Sequence, residues 1–427
     1  MLVKGDWGDN MLDIAYKSLK NRWLTALMAV IAIAMSVALI LTVDKVRRDA
    51  RTGFTQTVSG TDLIVGARSG SVQLLLYSVF RIGSATNNIS WDSVTDIKRR
   101  EAVDWVVPLS LGDSHRGFRV LGTTPDYFKH YQYAGDRSLQ VQQGQQFEDV
   151  FDVVLGSEVA RQLSYSLGHS IAVAHGTGKV ALVEHDKQPF KVVGILEPTG
   201  TPVDHTLHVS LLGIEAMHVD WTNGMAVPGA GTSPEDIRRM DLIPKAVTAL
   251  LVGLNSRGAV FREQRAINEY REEPLLAILP GVAIQELWSL VRVAENALLL
   301  VSSFVVLAGL VNLVSVLFAG LNERRREMAI LRASGARPSH VFLLLCAEST
   351  VLSFLGLLAG VLLHYVVVVI GILWIQQRYG FSVEFSMLTV SDGLRMASIF
   401  IAGILVGCIP AWRAYRQSVA DGMMHRM

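Results

Sequence analysis

Three groups of residues in this sequence have types and spacing that could do chemistry. Asp204, His205 and His208 lie close enough along the chain to share a metal ion, since imidazole and carboxylate are ordinary zinc ligands. Their spacing is not diagnostic, and surface histidines on a strand edge give the same pattern. No metal is therefore assigned, and His205 and His208 stand as the only candidates. Gly176-Thr-Gly-Lys179-Val180 looks like a phosphate loop. It lacks the four-residue spacer before Gly-Lys and the Ser/Thr after it, and it reads as a hairpin turn between two strand-like runs. Glu348 lies inside an apolar stretch. A carboxylate in a membrane span is expensive and faces protein, water or a pathway. A shallow one can also reach the interface and pair with an arginine. No Gly-x-Ser-x-Gly nucleophile motif occurs. The sequence offers no catalytic residue and binds no cofactor of its own. If ATP is used, another chain binds it.

The densest charge lies in Asn322–Pro338, where five arginines fall within seventeen residues between two apolar segments. Such a run stays out of lipid and marks the cytoplasmic side. Glu327 to Arg332 are mostly good helix formers, and Gly335 followed by Pro338 is a stop signal. Met328, Leu331 and Arg332 share one helix face. A short helix under a membrane domain is a docking surface for a soluble partner. The same charges would also serve as a simple topological anchor.

The elements that position these residues follow from composition. The chain has 427 residues, half of them hydrophobic, and a mean hydropathy of +0.35. That balance predicts a few spans and a sizeable soluble domain. A net charge of +1 gives no support to nucleic-acid binding. Both cysteines, Cys346 and Cys408, fall in apolar segments, so the soluble part holds no disulfide and no Cys-based zinc site. Residues 1–22 read as an amphipathic helix on the cytoplasmic face. Residues 23–43 carry no charge and span about 31 Å, one bilayer core. Arg47, Arg48 and Arg51 just beyond them partly offset the positive-inside bias, but a long following domain can still be exported. The other spans are 295–321, which holds Asn312; 341–365, which holds Glu348; and 394–412. A coupling segment at 322–340 and an external turn at 366–393 separate them, and 413–427 is a cytoplasmic tail. Gly356 and Gly360 form a Gly-x-x-x-Gly pair for a close helix crossing, which suits a symmetric dimer. Basic residues flank the inner end of every span, placing both termini in the cytoplasm.

Residues 44–294 form the soluble domain. Strand-like runs recur at 62–66, 103–108, 118–121, 152–155, 170–174, 180–183, 190–194 and 249–252. Helix candidates lie at 91–100, 124–130, 157–167, 233–240 and 256–270. This is an α+β pattern, with Ser157 read as the cap of its helix. The predicted fold class is a membrane protein with four transmembrane helices and a large α+β periplasmic domain between the first two.

The sequence Leu-Asn-Glu-Arg-Arg-Arg-Glu-Met-Ala-Ile-Leu-Arg-Ala-Ser-Gly-Ala-Arg-Pro at 321–338 resembles the permease subunits of MacB/FtsX-type (type VII, mechanotransmission) ABC transporters. The likeness continues through Glu348, Leu355-Gly356 and Gly360 to Ile409-Pro-Ala-Trp-Arg-Ala-Tyr-Arg416, and includes Ala15–Trp23. In the soluble domain it is carried by 62–67, 154–160 and 192–202. A Gly-Asp usual in the family reads Gly168-His169, and Ser418 stands where a proline is common. The resemblance implies a multi-pass protein of the bacterial inner membrane that pairs with a cytoplasmic ABC ATPase, which binds ATP and Mg. It also implies a second permease copy in a homodimer, and a periplasmic adaptor or substrate-binding protein as a further partner. Glu323, Arg324, Arg325, Glu327, Met328, Leu331, Arg332 and Gly335 would form the ATPase-coupling helix. Asn312, Glu348, Gly356 and Gly360 would be the intramembrane and packing residues. The implied work is coupling of ATP hydrolysis to periplasmic movement of a substrate, of the efflux or lipoprotein-release type. Two alternatives stand beside it: regulation of a periplasmic hydrolase, and a metal-linked system using the periplasmic histidines.

Overall fold

The computed structural model describes residues 23–175, 189–222, 225–226, 232–323, 337–379 and 387–416. The hairpin expected at 176–180 and the terminal segments 1–22 and 417–427 lie outside the described residues. The chain separates into two compact units, one built on long apolar helices and one on Asp49–Val291.

Among the described residues, four helices are long and apolar enough to cross a membrane. They are Trp23–Gln56, Pro280–Glu323, Pro338–Tyr379 and Val390–Arg416, of 34, 44, 42 and 27 residues. At about 1.5 Å per residue all four exceed the ~30 Å hydrocarbon core. The third runs unbroken to Tyr379, into the segment expected as an external turn. The fourth continues through Pro410 to Arg416, since a proline within a span is tolerated where neighbours re-satisfy the freed backbone. Leu298, Phe304, Leu307 and Val311 on the second helix and Leu358 and Leu362 on the third are exposed, as helices apolar all round require of a lipid-facing surface.

The second unit is a mixed sheet flanked by short helices. Its eleven strands, in chain order, are β1 (Leu63–Ala67), β2 (Val103–His115), β3 (Phe118–Thr123), β4 (Val141–Gly144), β5 (Asp152–Leu155), β6 (Ser170–Ile171), β7 (Ala174–His175), β8 (Phe190–Leu196), β9 (Thr206–Ser210), β10 (Ala249–Leu254) and β11 (Leu275–Ile278). The spatial order is β11-β1-β10-β2-β3-β9-β5-β8-β4, with β7 on β2 and β6 on β8. Most pairings are antiparallel; β9 with β3 and β8 with β5 are parallel. β2 joins the two halves of the sheet and runs seven residues beyond Pro108, where a strand is expected to end. Pro108 faces Leu250 of β10, while pairing with β3 begins only at Ser110↔Gly122. Its missing N–H therefore falls at a handover between neighbours, the kind of place where a strand tolerates proline. Leu74, Leu75, Tyr127, Phe128 and Phe147 pack one face, and Val120, Phe190, Leu207 and Val209 pack another.

The helix Ser157–Leu163 is capped by Gly156, not by Ser157. Gly156 N–H donates to Thr206 O (2.9 Å), and a Cβ there would collide with the carbonyls of Val203 and Asp204. Close backbone approach therefore sets the cap position one residue earlier.

Candidate functional site

The arginine-rich run is bounded by described helices but is not itself described. Glu323 closes the second helix, and Pro338 opens the third. Arg324, Arg325, Glu327, Met328, Leu331, Arg332 and Gly335 lie outside the described residues. Pro338 takes the first helical position, where its missing N–H costs nothing. Arg337 N–H donates to His340 Nδ1 (3.3 Å), and His340 N–H donates back to Arg337 O (2.9 Å). The two ends of the run are held together, because Leu321, Val341, Leu345, Ala411 and Ala414 form one buried cluster. The Arg413 guanidinium lies over the Phe318 ring at 5.6 Å.

Beyond that cluster the helices meet through small residues. Glu348 is buried, at 7 % exposed, on a turn packed against the fourth helix. Ser349 Oγ donates to Gly403 O (3.0 Å), and Cys346 Sγ lies 3.5 Å from Cys408 Sγ. Cβ atoms added at Gly403 and Gly407 would strike Ser353 and Ser349. Further along the same face of the third helix, a Cβ at Gly356 would lie 2.6 Å from Ile33 Cβ, and one at Gly360 would lie 2.6 Å from Val37 Cβ. The Gly-x-x-x-Gly pair is thus used within the chain, against the first span helix, rather than left free for the symmetric dimer expected from the sequence. Absent side chains let the two backbones approach closely, the usual basis of helix association in lipid. Ser36 Oγ crosses from the first helix to Val305 O of the second (3.0 Å). Asn312 is half-buried beside Leu313 and enters none of these contacts.

A site the sequence reading missed lies where the first span helix leads toward the large domain. Asp44 and Asp392 are 3 % and 1 % exposed. Asp392 accepts two parallel N–H bonds from Arg48 (3.0 and 2.9 Å) and one from Arg395 (3.2 Å). Asp44 accepts from Arg48 and from Arg395 (2.7 Å). Two carboxylates and two guanidiniums thus neutralise each other. Asp392 also closes a capping box with Thr389, whose N–H and Oγ1 donate to it (2.9 and 2.8 Å). Arg47 pairs with Glu295 of the second helix (3.1 Å), and Thr42 Oγ1 lies 2.9 Å from His364 Nδ1 of the third. A polar collar therefore ties the first helix to the other three. Arg47 and Arg48, read from the sequence as opposing the positive-inside bias, have their charge met within the protein.

In the large domain the metal candidates separate. His205 stacks on Phe118 (5.9 Å), while His208 packs against Tyr127 and Phe128 (5.5 and 6.0 Å). These rings belong to separate cores: His205 ends the short 3-10 turn Pro202–His205, whereas His208 lies within β9. The Asp204 carboxylate accepts from Thr199 N–H (2.8 Å), Thr199 Oγ1 (2.9 Å) and Gly200 N–H (2.7 Å). It holds its own loop, and burial raises its pKa against those bonds. Among the described residues no three metal-ligating side chains converge. Burial, with the charge of Arg81, lowers the His208 pKa to about 3.

Four span helices with a large α/β domain inserted between the first and second define a multi-pass membrane protein. Residues 23–239 match the MacB-like periplasmic core domain, and residues 299–419 match the FtsX-like permease C-terminal region. The chain belongs to the MacB/FtsX-type family of ABC-transporter permeases. It is 24 % identical over 253 residues to the lipoprotein-releasing system transmembrane protein LolC of Neisseria meningitidis, covering 58 % of this chain and 55 % of LolC. It is 23 % identical over 240 residues to the macrolide export ATP-binding/permease protein MacB of Azoarcus, covering 53 % of this chain and 32 % of MacB. The chain therefore spans between a third and about half of the length of these relatives. The periplasmic region of MacB from Actinobacillus actinomycetemcomitans aligns with a TM-score of 0.34 at 12 % identity, over 54 % of this chain and 94 % of that one. The extracellular domain of the noncanonic ABC-type transporter YknZ aligns with a TM-score of 0.30 at 14 % identity, over 51 % of this chain and 99 % of that one.

Proposed function

We propose that this chain is the mechanical subunit of an ABC transporter of the bacterial inner membrane, with both termini in the cytoplasm. A separate cytoplasmic ATPase binds ATP and Mg. Its closure is received at Glu323–Gly335, passes through the span helices and shifts the large domain on the periplasmic side. The observation that carries this reading is the helix Pro280–Glu323. It starts one residue after β11, runs 44 residues without a break and ends at the arginine-rich run. A continuous helix of roughly 66 Å transmits displacement along its axis. Polar groups of the spans are engaged between helices, as with Ser36, Ser349 and the collar, which favours cargo movement outside the membrane over a polar channel through it. The cargo would be of the kind that lipoprotein release or drug efflux handles, with a second permease copy and a periplasmic adaptor or substrate-binding protein completing the assembly.

The test begins with co-purification. A tagged full chain should bring down an ABC ATPase from its native membranes, and the double change Glu327→Arg with Leu331→Asp should abolish it; an unchanged yield would refute docking there. Hydrogen exchange in residues 63–278 of the co-purified complex should respond to ATP. A Gly-Gly-Ser insertion between Val293 and Ala294 should remove that response while leaving co-purification intact.

A further inference from the structure

The large domain contains a cavity of about 270 Å³ between the helix Ser71–Ser78 and the strands β2 and β3. This is below the roughly 300–1,000 Å³ of sites for drug-sized ligands, so the space suits a headgroup-sized ligand. Two guanidiniums, Arg81 and Arg119, line it, and none of the described residues lining it is Asp or Glu. Arg119 stands on β3 in register with Ser114 and Thr206 and donates one N–H to Gly83 O (2.8 Å). Arg81 follows the helix in the left-handed region, at φ 60, uncommon for a residue with a Cβ. It donates to Ser78 O and to Tyr127 Oη (3.3 Å), and its Nε–H is buried with no acceptor.

A guanidinium carries five N–H donors, so both side chains keep donors in reserve. Burial, and secondarily the charge of Arg81, push the Arg119 pKa down. Like charges converging in a partly desolvated place raise the free energy of the empty site, and a bound anion relieves it. The cavity exists because β2 bulges: its register with β3 slips by one residue between Leu111 and Ser114. Gly112 lies in that bulge, and a Cβ there would meet nothing within 4 Å. Leu111 and Tyr77 supply apolar wall, and the exposed Asn88 lies at the rim.

We propose that this cavity binds a phosphate group, held between Arg81 and Arg119 with Asn88 at the opening. Two forks arriving from different elements exceed what one planar carboxylate can accept, whereas a tetrahedral phosphate offers acceptors to both. The phosphate is either free in solution or carried by a lipid headgroup.

The test is calorimetric titration of the purified full chain in detergent with inorganic phosphate and, separately, with short-chain phosphatidylglycerol. Saturable binding of either probe at millimolar concentration or below is expected. Arg119→Gln and Arg81→Gln should each weaken it more than tenfold. Gly112→Leu, which fills the space and leaves both arginines in the chain, should abolish it, and Arg116→Gln, on an exposed arginine outside the cavity, should leave it unchanged. Tighter binding of inorganic phosphate would identify a soluble phosphate as ligand; tighter binding of the lipid would identify a headgroup. The proposal is overturned if neither probe binds more tightly than about 10 mM, or if Arg119→Gln and Gly112→Leu both bind as the wild type does. Should Arg81→Gln not fold, those two variants decide the matter.

Discussion

Asp392→Asn should destabilise the span-helix unit by removing the charge that Arg48 and Arg395 share. The carboxylate is almost wholly buried and accepts from Arg48, Arg395 and Thr389. Removing one partner of a fully buried pair costs about 3–5 kcal/mol. The arginine side chains here are 33 % and 34 % exposed, so solvent screens part of the loss, and about 2–3 kcal/mol is the better expectation. Arg48→Gln should cost a similar amount, since it takes from Asp392 the guanidinium that gives it two of its hydrogen bonds. The decisive quantity is the coupling between the two changes. Full-length wild type, both single variants and the double variant would be unfolded in mixed micelles by increasing the fraction of denaturing detergent. A coupling of at least about 1 kcal/mol is expected for residues in one hydrogen-bonded network. Additivity within about 0.5 kcal/mol would show that the collar does not hold the first and fourth helices together, and the reasoning would fail.

Three further outcomes are expected. Gly360→Leu should destabilise the folded monomer by about 1–3 kcal/mol through overpacking against Val37; unchanged stability with loss of a dimer in detergent would instead return the glycine pair to a dimer face. His208 is neutral when folded and titrates near its ordinary value of 6.5 when unfolded. The unfolded chain therefore binds the extra proton, and the associated stability is complete above pH 6.5 and falls as pH drops toward about 3. Between pH 7 and pH 5 the loss should be about 2 kcal/mol, seen as a lowered melting temperature of the large domain in the full chain that His208→Gln makes less steep; equal slopes would contradict it. Gly156→Ala should unfold or strongly destabilise the large domain, because its methyl meets the Val203 and Asp204 carbonyls; a melting temperature within about a degree of wild type would count against that contact.

The spans were legible in the sequence because membrane crossing is a property of composition. An uncharged run such as 23–43 cannot be satisfied in water. Strand 152–155 was legible for a similar local reason: a short β-branched run bounded by turn residues. Other elements escaped. Thr206–Ser210 mixes polar and apolar residues, and Leu275–Ile278 runs almost directly into the long apolar helix after it, yet both are paired in the main sheet. The metal pairing of His205 with His208 looked plausible because distance along a chain says nothing about which core a side chain enters; a 3-10 turn ends at His205 and a strand begins at Thr206.

What the sequence determined by itself was the number of spans, the charged run between the second and third, and the α/β character of the inserted domain. Each depends on residues close to one another along the chain. Only the tertiary structure decided what the polar residues do. Arg48 and Asp392 are 344 positions apart, and Arg81 and Arg119 come to one cavity from a turn and a central strand. No local pattern marks either pair, because burial and charge act through space, and their partners are chosen by how helices and strands pack.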